Sequence, residues 1–184
     1  MLPQLFPTLS KHSALKACRF LDQAPMTGHY RIMSMIPVHS PEEMGQFGER
    51  LGRLAEAGSV FALEGDLGAG KTVLSQGVGR ALGITAAITS PTFVVVQEYD
   101  GGRLPLLHAD LYRVESQAEL DNLGLEEALE DDLVGVVEWA DKYPDVLPSD
   151  HLRVAIRFAD LSRTLHLSAT GPRHARLLER LFDR

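Results

Sequence analysis

Gly65-Asp66-Leu67-Gly68-Ala69-Gly70-Lys71-Thr72 is the stretch of this 184-residue chain that decides its fold. It has the form G-x-x-x-x-G-K-[ST], and each fixed position has a physical reason. Glycines let the backbone curl until its N–H groups point inward at phosphate oxygens. A helix opening at Lys71 adds its positive N-terminal end. The lysine places a point charge on the β- and γ-phosphates, and the Thr72 hydroxyl can ligate magnesium. A chain of this length meets the pattern by accident less than roughly 1% of the time at average residue frequencies. The flanks narrow that further. Val60–Leu63 is a short apolar strand, and an apolar-periodic helix runs from about Lys71 to Leu82, closed by Gly83. Strand, glycine-rich turn and helix in that order make this a phosphate-binding loop.

Upstream, Ser40 and Glu43 form a capping-box pattern with Pro41 at the first helical position. Met44, Phe47, Leu51 and Leu54 then recur at helical spacing, and Gly58 stops the helix. Downstream, valine-rich Phe93–Tyr99, the turn Asp100-Gly101-Gly102 and Leu104–Ala109 predict a hairpin. Ser116 and Glu119 open a helix through about Leu129. Leu133–Val137 is a buried-type strand, Leu152–Phe158 and Thr164–Ala169 a terminal hairpin, and Arg173–Phe182 a closing helix. The expected architecture is α/β and P-loop NTPase-like. It has a mixed sheet with a parallel core, antiparallel hairpins and flanking helices.

Length fits one domain. Residues 1–35 lack sustained periodicity beyond a possible short helix near Ser13–Leu21 and read as a loosely ordered extension, leaving 36–184 as the ATPase-type domain. The extension carries Lys11, Lys16, Arg19 and Arg31 against Asp22, a balance of +3 within a chain of net charge −7. The acidic remainder argues against direct grip on a nucleic-acid backbone. Cys18 is the one cysteine, so no internal disulfide is possible and a reducing cytosol is the expected setting. No apolar run reaches the ~18 residues of a membrane span.

A phosphate loop of this kind needs an acid near its magnesium, normally at a strand end. Asp110 ends the run Leu104–Ala109, and Glu138 ends Leu133–Val137. One would hold the metal while the other orients water or a switch segment, and the pattern does not say which. Ser90-Pro91-Thr92-Phe93 lies where switch proteins sense the γ-phosphate, but on the residues alone a turn, with proline starting a strand, is the favoured reading. Trp139, the sole tryptophan, and His108 read first as packing or hydrogen-bonding supports. His151, His166 and His174 have no ligand-like spacing. An N-K-x-D pattern is missing. Asp121-Asn122-Leu123-Gly124 matches D-x-x-G only by letters, within a helical stretch, so adenine is expected over guanine. A metabolic kinase and a purely structural nucleotide site remain as alternatives.

Taken in order, Gly65–Thr72, Ser90-Pro91-Thr92-Phe93, His108-Ala109-Asp110-Leu111-Tyr112-Arg113 and Glu138-Trp139 resemble the TsaE (YjeE) family, over about Ser40 to Ala169. The resemblance implies a weak, partner-dependent cytoplasmic ATPase using ATP and Mg2+. Proteins of this kind serve threonylcarbamoyl modification of the tRNA adenosine beside the anticodon. They act on the TsaD–TsaB heterodimer and meet tRNA only through that complex. By motif, the resemblance implies that Leu67, Gly68, Ala69, Gly70, Lys71 and Thr72 bind phosphates and that Thr72 and Glu138 hold magnesium. It implies that Asp110 acts near the γ-phosphate, that Thr92 belongs to a switch-like loop and that Trp139 supports the site. Ser40 and Arg163 would border the nucleotide, and Lys71, Asp110 and Glu138 would be the catalytic set.

Overall fold

Ser59–Glu64 is buried along its whole length, as befits a strand with parallel neighbours on both sides. The structure, a computed structural model, describes residues 18–20, 33–89 and 95–183. Among these, eight strands form one sheet: β1 (Cys18–Phe20), β2 (Met33–Val38), β3 (Ser59–Glu64), β4 (Val96–Tyr99), β5 (Leu106–Asp110), β6 (Val134–Glu138), β7 (Leu152–Ala159) and β8 (Ser162–Ala169). The order across the sheet is β1-β2-β8-β7-β3-β6-β5-β4. The four central strands β7, β3, β6 and β5 run parallel, and antiparallel β4 on one side and β8, β2 and β1 on the other extend them. The mixed sheet with a parallel core and both hairpins is therefore as the residue pattern predicts.

The helices are α1 (Pro41–Leu54), α2 (Lys71–Leu82), α3 (Gln117–Asp121), α4 (Leu125–Ala128) and α5 (Pro172–Phe182). Side chains of β3 alternate between two cores, because successive strand residues face opposite sides. Phe61 and Leu63 pack with residues of α1, α2 and α5. Val60 and Ala62 pack with Leu120, Leu125 and Leu129 on the other face. At the start of α1 the Ser40 hydroxyl accepts from the Glu43 N–H at 3.2 Å as expected, while the Glu43 carboxylate reaches back to the N–H of His39, one residue before the cap, at 2.7 Å.

Two expectations need correction. The single helix from Ser116 to about Leu129 is two short helices. Ser116 caps the first as expected, but Gly124 takes a left-handed backbone, φ 60°, and breaks the run. Cys18–Phe20, within the expected short helix near Ser13–Leu21, is instead a strand paired with β2, which itself runs from Met33 to Val38. The other residues of 1–35, and Ser90–Phe93 with Thr92, lie outside the described residues.

The phosphate-loop helix α2 is set by an unusually close crossing over α1. A Cβ on Gly48 would sit 2.2 Å from the Leu74 carbonyl oxygen, and one on Gly77 would sit 2.2 Å from the Gly45 carbonyl oxygen. Backbone meets backbone there. Helix propensity alone would make Gly48→Ala stabilising by about 1 kcal/mol. The crossing reverses the sign: we expect a loss of about 2 kcal/mol, a fall in Tm of roughly 5 °C or more. A Gly48→Ala protein melting at or above the wild type would rule this out.

His174 of α5 completes the sheet where β7 has not yet begun. Its Nε2 accepts from the Val60 N–H at 3.0 Å, and its Nδ1–H donates to Asp150 at 2.7 Å. Asp150 also accepts from the N–H groups of Arg173 and His174, fastening the start of α5. Burial holds His174 below the ordinary histidine value, against the opposing pull of Asp150. Protonation would set an Nε2–H against the Val60 N–H. The neutral form is favoured by folding, so its stability contribution is complete above the unfolded value of about 6.5 and is lost as pH falls from there toward the folded value. The urea midpoint should therefore decline between about pH 7 and 5. His174→Gln, which keeps an acceptor but does not titrate, should flatten that slope; an unchanged slope would exclude His174 as its source.

Candidate functional site

β3, β6 and β5 end level with one another. Register pairs Leu63 with Glu138 and Glu138 with Asp110, so the loop and both acids stand side by side at the carboxyl edge of the parallel strands. Open α/β sheets bind their ligands along this edge. Gly68 and Gly70 have φ of 76° and 112°, a left-handed region that side chains resist. A Cβ on Gly68 would meet no atom within 4 Å, so its backbone conformation, not crowding, requires glycine there. Gly70 is the N-cap of α2 without a side-chain cap bond, which leaves the first amides of that 12-residue helix turned toward the cleft.

The cleft, about 280 Å³, is lined by Leu67, Gly68, Gly70, Lys71, Thr72, Val73, Asp110, Tyr112, Glu138 and Trp139. Lys71 is the one cation among these described residues. Its ammonium donates to the Gly65 and Asp66 carbonyls at 2.6 and 3.0 Å and lies 3.8 Å from the centre of the Trp139 ring. Burial lowers the Lys71 pKa, and the carboxylates of Glu138, Asp110, Asp141 and Asp66 oppose that. Trp139 has φ 58°, a strained value for a bulky residue, directly at the exit of β6. That backbone turns its ring over Lys71 and against Tyr112, with ring centres 4.8 Å apart. Trp139 thus contacts the loop lysine instead of merely filling the core.

Glu138 is 2% exposed and its two oxygens are shared out. Oε2 accepts from the Thr72 hydroxyl at 3.0 Å, and Oε1 lies 2.8 Å from both Ser75 Oγ and His108 Nε2. Asp110 is 8% exposed. It accepts from the Tyr112 N–H at 3.0 Å, capping the 3₁₀ turn Leu111–Arg113. A second cleft borders the first across Gly68 and Gly70, lined also by Ser40, Ala69, Leu161 and Arg163. Ser40 and Arg163, over a hundred residues apart, are brought together there by the pairing of Val38 with Arg163. The Arg163 guanidinium lies 4.1 Å from the centre of the Phe158 ring.

The structure thus gathers Ser40, Leu67–Thr72, Asp110, Glu138, Trp139 and Arg163 around one loop; Thr92 lies outside the described residues. Two participants escape a reading of the chain. Ser75 carries only a spacing signal, three residues after Thr72 on the same helix face. Arg153 grips Glu64, the residue before the loop, with both Nε and Nη2, the latter at 2.7 Å. No motif marks either.

Comparison with known proteins points one way. Residues 38–165 match the family model described as threonylcarbamoyl adenosine biosynthesis protein TsaE. The chain is 41% identical over 143 residues to the Bacillus subtilis protein named tRNA threonylcarbamoyladenosine biosynthesis protein TsaE, covering 77% of this chain and 89% of that one. A Nostoc protein of the same name is 45% identical over 133 residues, covering 70% and 80%. The crystal structure of Bacillus subtilis YdiB superposes with a TM-score of 0.72 at 35% identity, over 83% of this chain and 96% of that one.

Proposed function

Because this chain belongs to the TsaE family, we propose that it is an ATP-binding, slowly hydrolysing accessory protein for threonylcarbamoyl modification of the tRNA adenosine beside the anticodon. It acts on the TsaD–TsaB heterodimer and meets tRNA through that complex. The names of its relatives support the pathway. The observation that carries the nucleotide reading is the meeting of Lys71, Thr72 and Glu138 at the uncapped start of α2.

The residues present suit a magnesium–nucleotide. A hydroxyl and a carboxylate oxygen 3.0 Å apart form a hard, all-oxygen donor pair, and magnesium typically takes one or two such groups beside substrate phosphates. Thr72 and Glu138 would hold the ion, which when bound would neutralise charge on the phosphate oxygens. Loop amides and Lys71 bind the phosphates. Asp110, next to Glu138 in register at the same strand edge and lining the same cleft, is assigned to orient the attacking water. Ser40 and Arg163 flank the loop on the side away from Asp110 and border the rest of the nucleotide. With Lys71 the single cation among the described lining residues, turnover alone is slow and the heterodimer supplies further stabilisation. Among the described residues no helix is long and apolar enough to cross a membrane, and action in the cytosol accords with that.

Reconstituted tRNA modification, run with and without this protein, tests the reading. Multiple turnovers should require the protein and ATP, and the heterodimer should accelerate phosphate release. Equal modification without the protein, or transfer of phosphate to a small acceptor, would overturn it.

A further inference from the structure

We propose that His108 is a positioning residue for Glu138, fixing which oxygen of that carboxylate faces the magnesium–nucleotide. His108 is fully buried, on the α2-facing side of β5, with Nε2 2.8 Å from Glu138 Oε1. A carboxylate only accepts, so Nε2 carries a proton and is the donor. Nδ1 has no hydrogen-bond partner among the described residues, so the ring is held in this orientation by its bond to Glu138.

The other groups around the carboxylate cannot replace it. Ser75 Oγ lies 2.8 Å from Glu138 Oε1 but also 3.0 Å from the Lys71 carbonyl oxygen, and its single proton is divided between two acceptors. Thr72 addresses the opposite oxygen, Oε2, and it is the group with which Glu138 would share the ion. His108 is thus the donor whose proton is committed to Oε1. It anchors the inner oxygen against α2 and leaves Oε2 presented to the cleft beside Thr72. Groups that hold a metal ligand's far side commonly set metal affinity by 10- to 100-fold.

The inference rests on the magnesium–nucleotide reading above, and the test separates the two. ADP affinity is measured by calorimetry with Mg2+ and with EDTA, for wild type, His108→Leu, His108→Gln and His108→Asn. Leucine fills the site without a donor, glutamine places an amide near the Nε2 position, and asparagine is too short to reach. The magnesium-dependent gain in affinity should fall about tenfold or more in His108→Leu, with affinity in EDTA changed less than about twofold. Glutamine should retain the gain and asparagine lose it, which decides the matter even if the leucine protein does not fold. Equal gains in the glutamine and asparagine proteins, or an equal loss with and without Mg2+, would overturn the role. A wild type lacking any magnesium-dependent gain would overturn the site reading and this inference with it.

Discussion

Lys71→Ala should weaken ADP and ATP binding by about 10- to 100-fold, the worth of hydrogen bonds between a charged donor and charged phosphates. The side chain is 5% exposed and is the one cation among the described residues lining the cleft. It donates to the Gly65 and Asp66 carbonyls, faces the Trp139 ring and feels the carboxylates of Glu138, Asp110, Asp141 and Asp66. The loop amides remain in the variant, so binding drops without vanishing. Reconstituted modification should fall to the level seen without this protein. Calorimetry checks the first statement, and affinity within threefold of the wild type would refute it. Because Trp139 touches the ammonium, its emission should also respond to nucleotide in the wild type.

Glu138→Gln should lower partner-stimulated hydrolysis by about 100-fold or more, since several kcal/mol of charge stabilisation pass through the ion that Glu138 helps to hold. The substitution preserves shape but removes the charge: the amide oxygen can keep the contacts with Ser75 and His108 while the amide nitrogen, which cannot ligate a metal, takes the position beside the Thr72 hydroxyl. Nucleotide binding in EDTA should survive, because Lys71 and the loop amides are untouched. Phosphate release in the presence of the heterodimer is the measurement, and turnover within fivefold of wild type would remove Glu138 from the metal role.

The local elements were legible because each has a short-range signature. Ser40 with Glu43, and Ser116 with Glu119, announce helix starts through their own cap bonds. Gly124 shows the limit: it lies inside the stretch expected to be one helix, yet its left-handed backbone splits the segment. A glycine inside a periodic run does not reveal whether it bends the chain or is merely tolerated. Trp139 was harder still, since its contact with Lys71 depends on a backbone angle at a strand exit.

By itself, the sequence determined the phosphate loop, the helix it opens, the parallel core and the two acids at strand ends, because these follow from local backbone preference and apolar periodicity. Only the tertiary structure decided how Glu138 is shared among Thr72, Ser75 and His108, which lie 66, 63 and 30 residues away along the chain. It alone decided that His174 serves Val60 and that Ser40 meets Arg163. Strand order and register bring such distant side chains together, and one residue of slip in β5 or β6 would turn His108 or Glu138 to the opposite face.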